Sequence, residues 1–392
     1  MVRVTALLAL AAGATGFVHP GLLHTADDFT RVKNLVSQGK EPYLTSWNLL
    51  TANSHASPTY QPRPAATVYR GSDGVHSQNY PVLYNDAHAA YQLALRWKIS
   101  GDSQYADAAA RVLDAWSSTM TAIGGNSDRF LAAGLYGYQL ANAGEIMRDY
   151  AGWPAENRTR LGGLLRDVFF EDNHRFLTTH NDASRFHYWA NWDLCNIAAI
   201  QAIGVFTDNQ TMYDFATNYF VNGDGMGAMP NFIVANHTED GTGKSLAQSQ
   251  EASRDQGHAT LDIALLGVIM QQGHNQGDDL FELMSRSGLA ASEYLAKYNV
   301  GQDVPFTEYV NPDQGTFPGI SPASRGAIRP GFELLYAHYS DVKGLDASWT
   351  KEYIDLANNG TGGVEGGGGN YGSTSGGYDY LGFGTLMYRQ AA

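Results

Sequence analysis

The feature that most constrains the fold is a helical repeat of apolar residues that runs through most of the chain. Between residues 85 and 357, apolar side chains recur at intervals close to 3.6 residues, whereas sustained alternation of apolar and polar residues is scarce. The helical segments come in pairs that are joined alternately by short and long loops. This pattern predicts an all-α fold, an (α/α) toroid or incomplete barrel of about six to seven helical hairpins.

The predicted helices cover residues 24–37, 85–99, 104–116, 129–150, 154–170, 188–205, 212–220, 248–272, 278–298, 331–340 and 348–357. No change of composition divides the chain into two parts. The glycine-rich stretch 360–377 is too short for a linker between domains. We therefore expect residues 17–392 to form a single domain.

The first sixteen residues have the composition of a secretory signal peptide. Residues 1–3 are basic at one position, residues 4–12 are apolar, and residues 14–16 are small, as a cleavage site requires. The apolar run is too short for a membrane span, and no later uncharged run reaches the roughly 20 residues that a span needs. The chain is therefore predicted to be secreted to the extracellular space.

Four N-x-S/T sequons follow the signal peptide, at Asn157, Asn209, Asn236 and Asn359. Together with the signal peptide they predict a secreted eukaryotic glycoprotein. The single Cys195 excludes an internal disulfide, so the stability of the fold has to come from a large apolar core.

The formal net charge of −14 argues against nucleic acid and anionic membrane surfaces as partners. The same charge would repel an anionic polysaccharide at long range. A polyanionic substrate would therefore need a local cluster of Arg, Lys and His. The aromatic content of 12% is common where sugars stack on rings, and equally common in aromatic cores. We expect a monomer.

Ionisable residues are concentrated in the stretch 250–258. On the predicted helix, Glu251, Arg254, Asp255 and His258 are spaced i, i+3, i+4 and i+7 and share one face. An apolar run over residues 261–270 follows directly. Such a face either lines a cleft or forms a solvated ion-pair network at the start of a helix, and spacing alone leaves both interpretations open.

Two further stretches combine aromatic and polar residues. Residues 185–193 are rich in Trp, Tyr, His and Asn, and His187 and Asn191 share a face if this segment is helical. A cleft wall is favoured here, although Asn191 is also suited to cap a helix. Arg329, Glu333 and Tyr336 are spaced i, i+4 and i+7, which fits either a site or a packed aromatic residue.

Together these stretches resemble the alginate-lyase-like polysaccharide lyases, (α/α)-toroid enzymes that cleave uronic-acid polymers. The resemblance is carried by residues 19–25, residues 85–97, Asn191–Trp192, Glu251 with residues 254–258, and Arg329–Pro330 with Glu333 and Tyr336. It is closest to polysaccharide lyase family 38, whose members act on alginate or glucuronan. The Asn-Asn-His-type motif of family 5 is altered here to Asn191–Trp192, so His258 becomes the candidate for the neutralising histidine.

The resemblance implies β-elimination without a metal or other cofactor. The C5 proton of a uronate is weakly acidic, so its removal requires the carboxylate charge to be quenched. Asn191 and His258 are suited to that role, with positive charge added by Arg254 or Arg329. A zinc site built from His187, His258 and His338 lacks the usual ligand spacing.

In mannuronate and glucuronate the C5 proton and the C4 leaving oxygen lie on one ring face, so one group can serve as base and acid. Tyr336 is the predicted group, with Arg329 lowering its pKa, and Tyr309 and Tyr339 are the alternatives. The predicted substrate contacts are Arg70, His187, Tyr188, Trp189, Trp192, Glu251, Arg254 and Gln256.

Two other functions remain open at this point. An inverting glycoside hydrolase on a helical toroid would pair Glu251 or Asp255 with Asp86 or Asp193, at a separation of about 6.5–9.5 Å. A non-catalytic polysaccharide-binding protein would retain the fold without turnover.

Overall fold

The computed structural model describes residues 16–390 and consists mainly of α-helices. The helices are α1 (Ala26–Ser37), α2 (Tyr43–Ala52), α3 (Tyr80–Ser100), α4 (Ser103–Thr119), α5 (Arg129–Ile146), α6 (Ala155–Leu164), α7 (Glu171–Thr179), α8 (Ala190–Phe206), α9 (Gln210–Asn222), α10 (Met229–Phe232), α11 (Gln256–Asn275), α12 (Leu283–Asn299), α13 (Phe332–Tyr336), α14 (Ser348–Asn358) and α15 (Gly384–Met387). Two segments with the wider π-helical turn, Leu165–Phe170 and Ala337–Val342, follow α6 and α13. The all-α prediction is confirmed.

Short strands lie between some of the helices, and these strands pair with one another. Strand β1 (Thr67–Tyr69) runs parallel to β2 (Ala122–Gly124), with Val68 opposite Ile123. The antiparallel pairs are β3 (Ile233–Thr238) with β4 (Ser245–Ser249), and β5 (Tyr309–Asn311) with β6 (Gly315–Phe317).

The packing of the helices follows from which of them are apolar on all sides. Every residue of α8 is buried, and α5 is buried almost throughout, so these helices belong to an inner layer. In contrast, α1, α4 and α14 each have one apolar and one polar face, as outer helices do. The apolar core is continuous from α1 to α15.

Contacts between the inner helices, completed by α1 of the outer group, form a closed circuit. Helix α3 packs against α5, α5 against α8, α8 against α11, and α11 against α13. Helix α13 contacts α15, α15 contacts α1, and α1 contacts α3, so the first and last parts of the described chain meet. This circuit is consistent with a toroid.

The predicted helix over residues 248–272 is wrong at its start. Gln248 and Ser249 belong to β4, and Gln250–Ser253 form a single 3₁₀ turn. The backbone of Asp255 is extended, and its carboxylate accepts a hydrogen bond from the backbone N–H of His258. Because Asp255 is thereby the N-cap, α11 begins at Gln256, and Glu251 does not share a helical face with His258.

Two other spacings fail for the same reason. Helix α8 begins at Ala190, so His187 lies in the preceding turn rather than one helical turn below Asn191. Helix α13 begins at Phe332, so Arg329 precedes it and does not share a face with Tyr336. Helix boundaries set by caps and turns override a spacing that looks helical.

None of the described helices combines the length and apolar character needed to cross a lipid bilayer. The predicted signal peptide, residues 1–16, lies outside the described residues except for Gly16. The assignment of residues 17–392 to one domain stays a prediction.

Candidate active site

A buried carboxylate organises the candidate site. One oxygen of Glu251 accepts hydrogen bonds from both the backbone N–H and the side-chain amide of Asn191, each at 2.7 Å. The other oxygen accepts from Nη1 of Arg254 at 2.9 Å. We refer to Asn191, Glu251, Arg254, Asp255 and His258 as the Glu251 cluster.

The start of α8 explains why Asn191 is held there. The first N–H groups of a helix have no partner within it and require acceptors from elsewhere. Gln250 accepts from the N–H of Ala190 at 3.2 Å, and Glu251 accepts from the next N–H. The 3₁₀ turn before α11 therefore caps α8, and the positive end of the helix dipole favours the Glu251 carboxylate.

Asp255 orients the imidazole of His258. The Asp255 carboxylate accepts from Nδ1 of His258 at 2.7 Å, so Nδ1 carries a proton and Nε2 faces Nη2 of Arg254 at 3.3 Å. Burial acts to raise the pKa of Asp255, but the hydrogen bonds from the His258 side chain and backbone lower it to about 2. The side chain of His258 is 43% exposed, which leaves it accessible to solvent.

A second acidic residue lies below the cluster. Asp262 is fully buried, and neither of its oxygens accepts a hydrogen bond from an N–H or hydroxyl group of the described residues. Burial and then the neighbouring Glu251 carboxylate raise its pKa well above the ordinary value. Asp262 is therefore the member of this pair of carboxyl groups that keeps a proton.

Arg329 connects the start of α11 to a late loop. Its Nη1 donates to the carboxylate of Asp379 at 3.1 Å, and its Nη2 donates to the carbonyl of Gly257 at 3.1 Å. The side chain is only 11% exposed. Arg329 thus contacts Gly257, the residue before His258, but its Nη1 also donates to the carbonyl of Gly376, so its guanidinium is largely committed to these three partners.

Arg70 contributes a third guanidinium near the same loop. Its Nη1 donates to the hydroxyl of Tyr136 at 3.0 Å, and its guanidinium lies 5.0 Å from the ring centroid of Tyr80. Burial acts to lower the pKa of Arg70, but Tyr136, Asp379 and Tyr80 raise it overall. Arg70 therefore stays charged.

The aromatic residues around the start of α8 separate into an open and a packed group. The guanidinium of Arg254 lies 5.3 Å from the ring centroid of Trp189, and His187 is exposed. Tyr188 and Trp192 are each only 9% exposed and pack on one another at 4.6 Å. Trp189 and His187 are thus placed to touch a ligand, whereas Tyr188 and Trp192 form the wall behind them.

A hairpin of β5 and β6 covers this wall. The backbone N–H and carbonyl of Thr307 are both bound by the amide side chain of Gln248, three residues before Glu251. At the far end, the side chain of Gln314 donates to the carbonyl of His187. The hairpin is thereby fixed next to the Glu251 cluster at two points.

Tyr309 lies on this hairpin. Its ring stacks on Phe317 at 6.0 Å, and Phe317 meets the edge of Trp189 at 5.8 Å. The Tyr309 hydroxyl accepts one hydrogen bond, from Asn311 at 3.2 Å, and the residue is half-buried. Of the three candidate tyrosines, Tyr309 is the one on an element that contacts residues next to the Glu251 cluster, Trp189 and Gln248.

The structure places Tyr336 away from the cluster. Helices α13 and α11 run side by side in the same direction, because Gly331 lies against Ala264 and Leu334 against Gly267. Tyr336 is then level with residue 269, eleven residues beyond His258. At 1.5 Å per residue this is a separation of about 16 Å along the helix.

The contacts of Tyr336 and Tyr339 agree with a position away from the Glu251 cluster. The ring of Tyr336 lies under the guanidinium of Arg389, 4.2 Å from the ring centroid, while Arg329 pairs with Asp379. The predicted pairing of Tyr336 with Arg329 is therefore wrong. Tyr339 is fully buried and donates to the carbonyl of Phe281 at 2.8 Å, so it has a structural role.

The sequence of this chain matches one known protein family. A sequence profile of the family described as alginate lyase matches residues 45–303, about two thirds of the chain. The chain belongs to the alginate lyase family. It is therefore a polysaccharide lyase. No curated protein matches the sequence.

Solved structures of alginate lyases share the fold of this lyase. Alginate lyase A1-III from Sphingomonas species A1 has a TM-score of 0.59 and 14% identity over 96% of this chain and 98% of that one. A Tyr-to-Phe variant of A1-III complexed with a tetrasaccharide has a TM-score of 0.64 and 15% identity, over 98% and 99%. An alginate lyase from Bacteroides ovatus has a TM-score of 0.54 and 15% identity, over 73% and 85%.

One predicted substrate contact of the lyase is a structural residue. Gln256 is fully buried; its amide donates to the carbonyls of Ala252 and Ser321, and its oxygen accepts from Asn299. These bonds hold the start of α11 against the segment before α13. No polar atom of Gln256 is left for a substrate, so its predicted role is wrong.

The carboxylates proposed for a hydrolase are also committed within the fold of the lyase. Asp86 is buried and accepts from Tyr60, from the backbone of Arg63 and from Trp116. Asp193 is buried and accepts from the backbone of Gly227. Neither faces the Glu251 cluster as a free acid, so the inverting pair is not formed.

Residues 16–390 contain no group of three or more His, Cys, Asp or Glu side chains arranged to hold a metal ion. His338, a member of the zinc set considered from the sequence, stacks on Phe281 at 3.6 Å. Burial lowers its pKa to about 3. His338 is therefore a neutral core residue of the lyase.

Sequence reasoning missed Asp262, Asp379 and Tyr136. Asp262 had a detectable signal, since it is an ionisable residue inside an apolar helix, four positions after His258. Asp379 is separated from Arg329 by 50 positions and Tyr136 from Arg70 by 66, so only the fold brings these pairs together.

Proposed function

We propose that this lyase cleaves alginate, or a closely related uronate polymer, by β-elimination at the Glu251 cluster. The observation that carries the proposal is that one buried carboxylate holds Asn191 and Arg254 side by side, next to a half-exposed His258. An amide, a guanidinium and an imidazole are the groups that neutralise a uronate carboxylate, and here the amide of Asn191 is buried beside the partly exposed Arg254 and His258.

The first step of the proposed reaction is quenching of the substrate carboxylate. Arg254 has N–H groups beyond the one given to Glu251, and Asn191 has a second amide hydrogen. Binding of the carboxylate to these donors stabilises the negative charge that develops when C5 loses its proton. His258 supplies a further contact, with its orientation fixed by Asp255.

Tyr309 is the group we assign to the proton transfer. In mannuronate the C5 proton and the C4 oxygen lie on one ring face. A single residue on that side can therefore take the proton from C5 and give it to the C4 oxygen. The C5–H bond breaks, its electrons form the C4–C5 double bond, and the C4–O bond breaks as the leaving oxygen is protonated. Tyr309 is half-buried on the hairpin whose Phe317 packs against Trp189, and the ring of Trp189 in turn lies against the guanidinium of Arg254.

The structural neighbours support the substrate class. A1-III is described as an alginate lyase, and two of its variants, a His-to-Ala and a Tyr-to-Phe exchange, are described as complexed with a tetrasaccharide. At 14–15% identity this likeness establishes the fold of the chain. The substrate assignment therefore rests on the family together with the geometry of the Glu251 cluster.

The experiment that tests the proposal is a product assay. Purified protein is mixed in turn with polymannuronate, polyguluronate and glucuronan, and near-ultraviolet absorbance and reducing ends are recorded. We expect both signals to rise together on polymannuronate, because β-elimination creates an unsaturated uronate at each new end. Reducing ends without absorbance would contradict the elimination and indicate hydrolysis. The absence of both signals on all three polymers would contradict the proposed substrates.

Secretion and glycosylation form part of the same proposal. Asn236 and Asn359 are exposed and accessible to a glycan. Asn157 instead donates its amide to Asp114, and Asn209 caps α9 through its side-chain oxygen. In a eukaryotic secretory host we expect occupancy at Asn236 and Asn359 first, detected as a mass shift after glycosidase treatment. A protein retained in the cell without that mass shift would contradict both assignments.

A further inference from the structure

A pocket on the outer side of the helical layers collects three arginines. It has a volume of about 270 Å³ and is lined by one face of α6, the following π-helical turn and the residues after α8. Its charged residues are Arg148, Arg158, Arg166 and Asp208. In a chain with 39 acidic and 25 basic residues, a local excess of guanidinium groups is unusual.

The three guanidinium groups differ in how many of their N–H groups already have a partner within the protein. Arg148 is bound to Glu145, to Asp208 and to the carbonyl of Phe206, so it is neutralised in place. Arg158 gives one N–H to the carbonyl of Trp153 at 3.0 Å.

Arg166 differs from Arg148 and Arg158 in its hydrogen bonding. Its side chain makes neither a hydrogen bond nor an ion pair with any residue in 16–390, although it is half-buried. Two guanidiniums therefore retain donors that face the pocket, while the only carboxylate in the lining, Asp208, is already paired with Arg148 and His19.

The rest of the lining suits a sugar ring. Thr159 and Thr207 donate their hydroxyl hydrogens to backbone carbonyls, which leaves their oxygens as acceptors. Gly162 forms part of the floor, between the methyl group of Thr207 and the guanidinium of Arg166. A bidentate carboxylate, hydroxyl acceptors and a small polar volume describe one hexuronate unit better than a bare oxyanion.

We propose that this pocket is a second binding site for a uronate unit of an anionic polysaccharide, separate from the site of cleavage. Arg158 and Arg166 bind its carboxylate, and Thr159 and Thr207 accept from its hydroxyls. On a polymer, such a site raises the local concentration of chain near the protein and offsets the repulsion from the net charge of −14.

The test is hydrogen exchange measured by mass spectrometry, which localises binding to a peptide. The probe is the monosaccharide D-mannuronate, which has no glycosidic bond to cleave. We expect slower exchange in peptides covering residues 155–166 and 206–208, at least twofold at saturating ligand, and no such effect with D-mannose, which lacks the carboxylate.

Helix α6 offers a matched pair of variants. Arg166→Gln should abolish the protection, whereas Arg160→Gln should retain it, because Arg160 points to Asp114 on the other face of the helix. Absence of protection, or equal loss in both variants, would overturn the proposal. Equal protection by inorganic phosphate would also overturn it, in favour of a general oxyanion pocket. Because the readout is local, it is independent of turnover in the cleft.

Discussion

The Glu251 cluster and the segment around α13 contain the same residue types, yet only one of them forms a site. In the cluster, Arg254 is 25% exposed and His258 43% exposed, so each is partly accessible to solvent. Around α13, Glu333 is buried, and its oxygens accept from Asn358, Thr385 and Arg389. The difference teaches that free hydrogen-bonding capacity, and not residue type or spacing, distinguishes a site from a core network.

The largest expected effect is a difference in activity between variants of two tyrosines, Tyr309 on the β5–β6 hairpin and Tyr336 on α13. Tyr309→Phe should lower kcat by about 10²–10⁴-fold, because loss of a general base and acid costs that much. Tyr336→Phe should leave kcat within about threefold, since its ring lies under Arg389 and away from the cleft. Initial rates on polymannuronate measure both, with thermal melts to verify folding. A large loss in Tyr336→Phe and none in Tyr309→Phe would reverse our assignment.

The second prediction compares the two buried carboxylates. Glu251→Gln and Glu333→Gln each replace the anion of a buried ion pair, so each should lower the free energy of unfolding by roughly 2–4 kcal/mol. Only Glu251→Gln should also lower kcat/KM, by about 100-fold, since Asn191 and Arg254 lose their common anchor. Urea unfolding and steady-state kinetics separate these effects. An equal loss of kcat/KM in both variants would show that stability, not the site, is responsible.

The third prediction compares how the free energy of unfolding depends on pH in the two regions. Each region has a protonated carboxyl beside the charged one: Asp262 beside Glu251, and Glu365 beside Glu333. Burial and then Glu333 raise the pKa of Glu365 to about 8. A folded pKa raised above the unfolded value of about 4 means that the stabilisation is complete below pH 4 and is lost as pH rises towards 8.

Each neutral variant, Asp262→Asn or Glu365→Gln, should therefore flatten the fall of unfolding free energy between pH 5 and 8, by at most about 1.4 kcal/mol per pH unit. Urea unfolding at three pH values measures this slope. We expect only Asp262→Asn to change the pH dependence of kcat, because Glu251 is its neighbour. A slope identical to that of the unmodified protein would show that these carboxyls are ionised in the folded state.

The smallest expected effect concerns Tyr339. Tyr339→Phe removes a buried hydroxyl that donates to the carbonyl of Phe281, and should lower the free energy of unfolding by about 1 kcal/mol. Lyase activity should stay unchanged, which kinetics on the same polymer would verify. A loss of activity without a loss of stability would return Tyr339 to the list of candidate bases.

Some of the site could be predicted from the sequence, because its signal is local. The stretch 250–258 and Asn191 stood out through the density of polar and aromatic residues beside apolar helices. Their spacing misled in detail, since Asp255 caps α11 and the cluster forms across a turn rather than on a helical face. Gln256 was misjudged for a related reason: a polar side chain in such a stretch can equally satisfy buried backbone groups.

The sequence by itself determined the helical class, the pairing of helices into hairpins and the polar composition of the segments that meet in the cleft. Local periodicity and capping residues encode these features, and both act over a few positions. Only the tertiary structure decided that Glu251 meets Asn191 from sixty positions away and that Phe317, on the hairpin that carries Tyr309, meets Trp189 two residues before Asn191. The reason is physical: burial and hydrogen-bond satisfaction are set by which helices pack together, and that choice is made by the whole core.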